Sequence, residues 1–307
     1  MAVRNFVGAF GHVVLDYILT VPHLPRPDTS IAILDRRRHF GGTAGNLARA
    51  AARLGTKTSL ASFVGADFPE DYRDALVKDG VDLRDLRIVQ GYATPTAWVF
   101  SDPKGQQMTI IDQGPWAIAP GMPVLRHSVR DVDLVHIGTG RPEYYAKVAA
   151  AAEELGRPIA FDPAQELRYV YDRKRFRALF RKATYFFGNE AEVAQAMRFV
   201  GATSVTDLLR TAEAVVVTLG ARGSAVITRQ EKIRIPAVRP KRIVDVTGAG
   251  DAYRAGFYAG LSRGYDLRRC GILGSAVASF ALEQKGTQTN LPTWAMAVAR
   301  ARRHAPF

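Results

Sequence analysis

The chain has 307 residues, 47% hydrophobic and 23% charged, with a single cysteine and a formal net charge of +13. That length suits either one large α/β domain with an appendage or two modest domains; the lone Cys270 excludes an internal disulfide, and no stretch approaches the roughly 20 apolar residues of a membrane span. The basic residues are scattered, with short clusters only at 36–38 and 300–303, so a solvated basic face is expected rather than a nucleic-acid-binding surface.

The N-terminus, Met1-Ala-Val-Arg-Asn-Phe-Val-Gly8, leads straight into a predicted strand at 6–10 with no apolar leader, which points to the cytoplasm. A helix is predicted at 44–54, a strand at 59–64 and a helix at 70–78, then a strand at 134–137, a helix at 144–155 and a strand at 159–161. The same alternation continues with a strand at 185–187, a helix at 190–199 and a strand at 214–218, before two final helices at 252–263 and 267–282. Cys270 falls in the last of these and reads as a buried structural thiol. Strand and helix in alternation imply a largely parallel sheet covered by helices on both faces, a three-layer α/β/α domain spanning 1–307.

Two regions break that rhythm. Residues 17–40 and 94–112 show period-two alternation and turn residues, as in Ser101-Asp-Pro-Lys-Gly105, without an intervening helix. They predict a small β-strand lid inserted at the edge of the main domain, suited to excluding water from a crevice.

The most informative run is Asp245-Val-Thr-Gly-Ala-Gly-Asp251, which leads into the small-residue helix that follows. Backbone N–H groups at a helix N-terminus carry partial positive charge, and glycines let a phosphate approach them, so Gly248, Ala249 and Gly250 form a candidate anion hole. Asp251 stands where it can take the proton of a hydroxyl attacking that phosphate; by itself the run suits a helix-capping aspartate nearly as well. Arg254, one turn further on, can pair with a carboxylate or reach a phosphate, and local pairing is expected. Tyr253 stands where a dinucleotide-binding fingerprint needs its third glycine, and the chain contains no Walker A sequence.

Asp245-x-Thr-Gly-Ala-Gly-Asp251 resembles the C-terminal signature of the ribokinase-like (PfkB) carbohydrate kinases, and Gly41-Gly-Thr-Ala-Gly-Asn46 resembles their N-terminal signature. The resemblance runs from Gly8 to Trp294, with the motifs in the family's order. It implies an ATP-dependent kinase in which Asp16, Gly41, Gly42 and Asn46 bind acceptor hydroxyls and Asp251 is the base. It further implies that Asn189 and Glu192 arrange Mg2+, and that Thr218, Gly220, Gly223 and Thr247, with Asn189, lie on the ATP side. Ser275 falls where the adenine pocket is expected, Asp162 near the magnesium shell or in a structural turn, and a monovalent cation such as K+ near Asp245 and Thr247.

Segments such as Thr94-Pro-Thr-Ala-Trp98 and Asp112-Gln-Gly-Pro-Trp116 look most like archaeal-type nucleoside kinases of broad specificity. The implied reaction moves the γ-phosphoryl group of ATP to a ribonucleoside 5′-hydroxyl. Phe40, Trp98, Phe100 or Trp116 would supply a flat surface for the base, and Gln113 and Gln165 amide groups for its edge. A sugar kinase of the ribokinase or fructokinase type is the nearest alternative, and a non-catalytic nucleotide or nucleic-acid binder on the same fold a further one. The lid's exposed strand edges predict a homodimer.

Overall fold

A computed structural model describes residues 5–104 and 106–304; Met1 to Arg4, where the N-terminal reading begins, and Gly105 of the lid turn lie outside them. In chain order come β1 (Asn5–Phe10), β2 (Val14–Thr20), β3 (Asp35–Gly41), α1 (Thr43–Arg53), β4 (Thr58–Gly65), α2 (Glu70–Lys78) and β5 (Leu86–Val89). Next are β6 (Thr96–Ser101), β7 (Gln107–Asp112), α3 (His127–Arg130), β8 (Val132–Ile137), α4 (Pro142–Glu154), β9 (Ile159–Phe161), α5 (Arg173–Phe180), β10 (Tyr185–Asn189) and α6 (Glu190–Val200). The chain continues through β11 (Ala214–Thr218), β12 (Ser224–Thr228), β13 (Lys232–Ile235), α7 (Ala249–Leu261), α8 (Leu267–Ala281) and α9 (Trp294–His304).

Nine strands make the main sheet in the order β13-β12-β11-β10-β9-β8-β1-β4-β5. The pairs from β11 through to β5 are parallel, and β12 and β13 close one edge antiparallel. The central strands are apolar on both faces, as a sheet covered on both sides requires. Val216 and Val226 pack toward α1, α2, α7, α8 and α9, whereas Val215, Val217 and Ala225 pack toward α3 to α6, giving the expected three layers. The α7–α8 contact is close because glycines face backbone: a Cβ on Gly256 would lie 2.6 Å from the Leu273 carbonyl oxygen, and one on Gly274 2.8 Å from that of Tyr253. Cys270 is fully buried in this layer.

A second sheet has the order β3-β2-β6-β7, with β2 and β6 parallel and the outer pairs antiparallel. Its strands leave the main domain directly after β1 and directly before the 3-10 turn at Gly114–Ala117. It therefore roofs the carboxyl ends of the parallel strands, the place where open α/β sheets bind ligands.

Candidate active site

A crevice of about 710 Å³ separates the small sheet from the carboxyl ends of β1, β8, β10 and β11. Asp251 sits on the first turn of α7, whose N-cap, Gly248, has φ +74°, a left-handed conformation that glycine adopts without steric cost. The free N–H groups of that turn and the side chain of Asp251 thus face the same space, with Gly248 and Gly250 in the wall.

Asn46 reaches Asp251 from α1. Its Nδ2 donates to Asp251 Oδ2 at 2.8 Å, while its Oδ1 accepts from Thr287 Oγ1 at 2.7 Å and Gln288 Nε2 at 2.9 Å. Gln288 Nε2 also donates to Tyr72 Oη at 2.6 Å, and that hydroxyl donates to the Gly41 carbonyl at 2.7 Å. The orientation of the Asn46 amide is fixed by this chain of bonds, and with it the position of the Asp251 carboxylate.

Asp16 projects from β2 into the crevice. Gly41 lies beside it across the β2–β3 pairing, and a Cβ there would collide with the Asp16 carboxylate, so the glycine makes room for the acid. Gly42, at φ +86°, turns the chain into α1 against the His12 carbonyl. Burial pushes Asp16 up to about 7, with Asp251 and Asp245 adding repulsion. Burial likewise pushes Asp251 up to about 6, opposed by the Arg254 charge and the Asn46 hydrogen bond.

At the donor end, Asn189, Glu192, Thr218 and Thr247 line the wall. Asn189 and Glu192 form a capping box on α6: Asn189 Oδ1 accepts from the Glu192 N–H at 2.9 Å, and Glu192 Oε2 from the Asn189 N–H at 2.8 Å. One carboxylate oxygen of Glu192 is left over, and with Asn189 it would suit water bound to a Mg2+ accompanying the nucleotide. No group of three or more acidic, His or Cys side chains among the described residues could hold a metal alone. Asp245 accepts from the Thr247 N–H at 2.9 Å and the Gly286 N–H at 3.1 Å, tying the loop before α7 to the loop after α8.

The far end is polar and was only partly legible. His12 joins Gln113 Oε1 at 2.6 Å and Thr139 Oγ1 at 2.8 Å, and Thr139 joins Thr43 Oγ1 at 2.7 Å. Since the Gln113 oxygen only accepts, His12 carries its proton on Nε2, Thr139 donates to Nδ1, and the Gln113 NH2 is free to donate. Burial lowers His12 to about 4, so it is neutral. Glu166, whose Oε2 accepts from the Gly140 N–H, is raised by burial to about 8, and Gln165 and Tyr169 flank it. Thr43 lies inside the Gly41–Asn46 signature, whereas His12, Thr139, Glu166, Thr287 and Gln288 gain their place in the site only from the fold.

Several expectations are corrected. Trp116 is fully buried under the main sheet, tilted on His12 at 4.9 Å and edge-on to Phe63 at 5.4 Å, so it is core and no base platform. Phe40 stacks on Tyr72 at 4.3 Å. Trp98 and Phe100 lie on the outer face of the small sheet, because Asp16 pairs with Ala97 and the crevice face carries Ile18, Ala97, Val99, Thr109 and Ile111. Ser275 turns away from the crevice, accepting from the Val238 N–H at 2.8 Å and donating to the Pro236 carbonyl at 3.0 Å. Gly220 and Gly223 shape the β11–β12 turn, both at positive φ, and Ala249 opens α7 between Gly248 and Gly250. Arg254 pairs with Asp162, 92 positions away, rather than with a carboxylate near it in the chain, and it also lines the crevice.

Free N–H groups at a helix N-terminus, a carboxylate beside them and a second carboxylate across the crevice, under a roof of strands, form an arrangement suited to an ATP-dependent phosphotransferase. Residues 4–294 match the pfkB family carbohydrate kinases, and the chain belongs to that family. It is 37% identical over 299 residues to a nucleoside kinase of Methanocaldococcus jannaschii, covering 97% of each chain. The crystal structure of the M. jannaschii nucleoside kinase, described as an archaeal member of the ribokinase family, superposes with a TM-score of 0.92 at 36% identity, covering 98% of this chain and 99% of that one. A nucleoside kinase of Burkholderia thailandensis in complex with inosine matches with a TM-score of 0.85 at 27% identity, covering 97% and 96%.

Proposed function

We propose that the protein phosphorylates the 5′-hydroxyl of ribonucleosides with ATP, giving nucleoside 5′-monophosphate and ADP. The observation that carries this reading is the extent of the crevice. Beyond Asp16, Gly42 and Asn46, which suffice for a pentose, it continues to the polar end formed by His12, Gln113, Thr139, Gln165 and Glu166. A free sugar would not reach the Gln113 NH2 group or Gln165 at that end, whereas a heterocycle has ring nitrogens and exocyclic groups to engage them. The aliphatic face of Ile18, Val99 and Ile111 offers its planes an apolar cover. The names of the relatives above agree.

In this reading Asp16 and Asn46 orient the ribose hydroxyls. Asp251 takes the 5′-hydroxyl proton, and the N–H groups after Gly248 receive the phosphoryl oxygens. Mg2+, when bound, neutralises the phosphate charge, with Glu192 and Asn189 holding its waters. A monovalent cation beside Asp245 and Thr247, a cytoplasmic location and a homodimer through the lid belong to the same proposal. The dimer is supported by the outer lid face, where Trp98 and Phe100 are part-exposed and Ile110 is 51% exposed. A dimeric mass in light scattering is the expected result.

The test is ADP release with inosine, guanosine, adenosine and cytidine against ribose, fructose and fructose 6-phosphate. Turnover of nucleosides at a kcat/KM at least about tenfold above the sugars supports the reading. Turnover of sugars or sugar phosphates alone rejects it in favour of the ribokinase-type alternative.

A further inference from the structure

Arg254 and Asp162 form a buried ion pair on the crevice wall to which the scheme above gives no part. Asp162 follows β9, and its Oδ1 accepts from Arg254 Nη2 at 2.6 Å while its Oδ2 lies against Nε. The carboxylate therefore holds one edge of the guanidinium fork, leaving Nη1 outside the pair. That nitrogen lies against Gly250, where a Cβ would come within 2.5 Å of it. Gly250 is thus small for two reasons, the approach of a phosphate and the return of this side chain. Arg254 follows Asp251 by three positions on α7 and shares its face.

The charges around the pair do not balance locally. Burial works against the Arg254 charge, but Asp162, Asp251 and Glu192 together hold it on. His136, buried beside it, is neutral. Arg254 and Lys285 are the Lys and Arg side chains lining the crevice among the described residues, and Lys285 is exposed. A buried ion pair is a poor source of stability, since desolvation offsets most of its attraction. A planar fork with one edge anchored and the other unspent is a strong arrangement for receiving phosphate oxygens.

We propose that Arg254 is a catalytic residue whose Nη1 donates to the phosphoryl group in transit, with Asp162 as the positioning residue that aims it. The acceptor hydroxyl oxygen attacks the γ-phosphorus and its proton passes to Asp251. The new O–P bond forms as the bond from phosphorus to the β–γ bridging oxygen breaks, and ADP leaves with that electron pair. Negative charge spread over the three equatorial oxygens meets the α7 N–H groups and the neighbouring Arg254 together. This inference rests on phosphoryl transfer in this crevice and not on the identity of the acceptor.

Two variants test it, Arg254→Lys, which keeps the charge and loses the fork, and Arg254→Gln combined with Asp162→Asn, which strands no buried charge. In both, kcat is expected to fall about 10²- to 10³-fold while KM for the acceptor stays within about threefold. A binding readout accompanies the kinetics. ADP with aluminium fluoride, Mg2+ and acceptor should raise the melting temperature of the wild type further than ADP, Mg2+ and acceptor do, and that extra rise should vanish in both variants. A kcat within about fivefold of wild type, or an undiminished extra rise, would overturn the proposal and leave Arg254 as a structural partner of Asp162. Should sugars and not nucleosides be turned over, the same comparison is made with the sugar, so failure of the nucleoside reading and failure of this one are told apart.

Discussion

At the scale of single residues the crevice sets two acids against their environment, with opposite consequences for activity and stability. Asp251 must be ionised to accept a proton, and burial has raised it to about 6. The rate should therefore fall on the acid side of a pH profile, with a limb near pH 6, and Asp251→Asn should lose about 10²- to 10⁴-fold in kcat at every pH while still binding nucleoside. Asp16, raised to about 7, holds its proton more tightly folded than unfolded. Its contribution to stability is present below about pH 4 and is lost as pH rises toward 7, because ionisation inside the crevice is then unfavourable. Asp16→Asn should accordingly be more heat-stable than wild type at pH 8, by on the order of 1–2 kcal/mol, and this advantage should shrink at pH 5. The same variant should lose most of its activity, so calorimetry and assay would move in opposite directions.

At the scale of elements, α6 shows how one motif serves two ends. The Asn189 and Glu192 pair closes the N-terminus of the helix with reciprocal hydrogen bonds and at the same time faces the donor end of the crevice. Asn189→Ala should cost about 1 kcal/mol in chemical denaturation, as the loss of a cap does. If the pair also holds the magnesium waters, the KM for Mg2+ should rise as well, and a cap alone would leave it unchanged. The helices and strands around this site were legible because their apolar residues repeat at helical or strand period. The Gly248 turn was legible because glycine at a helix start has few other reasons to be there. The facing of the lid strands was not. Whether Trp98 or Val99 looks into the crevice depends on Asp16 pairing with Ala97, a register set between segments about eighty residues apart. Trp116 misled for a similar reason: a tryptophan next to a lid strand reads as lid, and only the packing of Phe63 and Tyr144 around it marks it as core. Ser275 sits in the predicted helix, but its inward turn follows from the Pro236 loop lying on it.

The whole molecule combines a net charge of +13 with a crevice lined by Asp16, Glu166, Glu192, Asp245 and Asp251. If the positive exterior helps collect nucleotide, its effect should depend on ionic strength. Raising ionic strength from about 0.05 M to 0.5 M should therefore lower kcat/KM for MgATP severalfold, with a much smaller effect on kcat, because screening acts on the approach and not on the enclosed site. An unchanged kcat/KM across that range would mean that the surface charge has no part in collecting substrate.

The hydrogen bond from Asn46 to Asp251 spans 205 positions of the sequence, and those from Thr287 and Gln288 to Asn46 span 241 and 242. During synthesis the acceptor half of the crevice emerges long before the base, and the base long before the two side chains that fix the amide between them. A growing chain can fold most of its sheet and still hold no working centre. Thr287 and Gln288 thus complete the centre, and a chain cut short before Thr287 should spend no ATP.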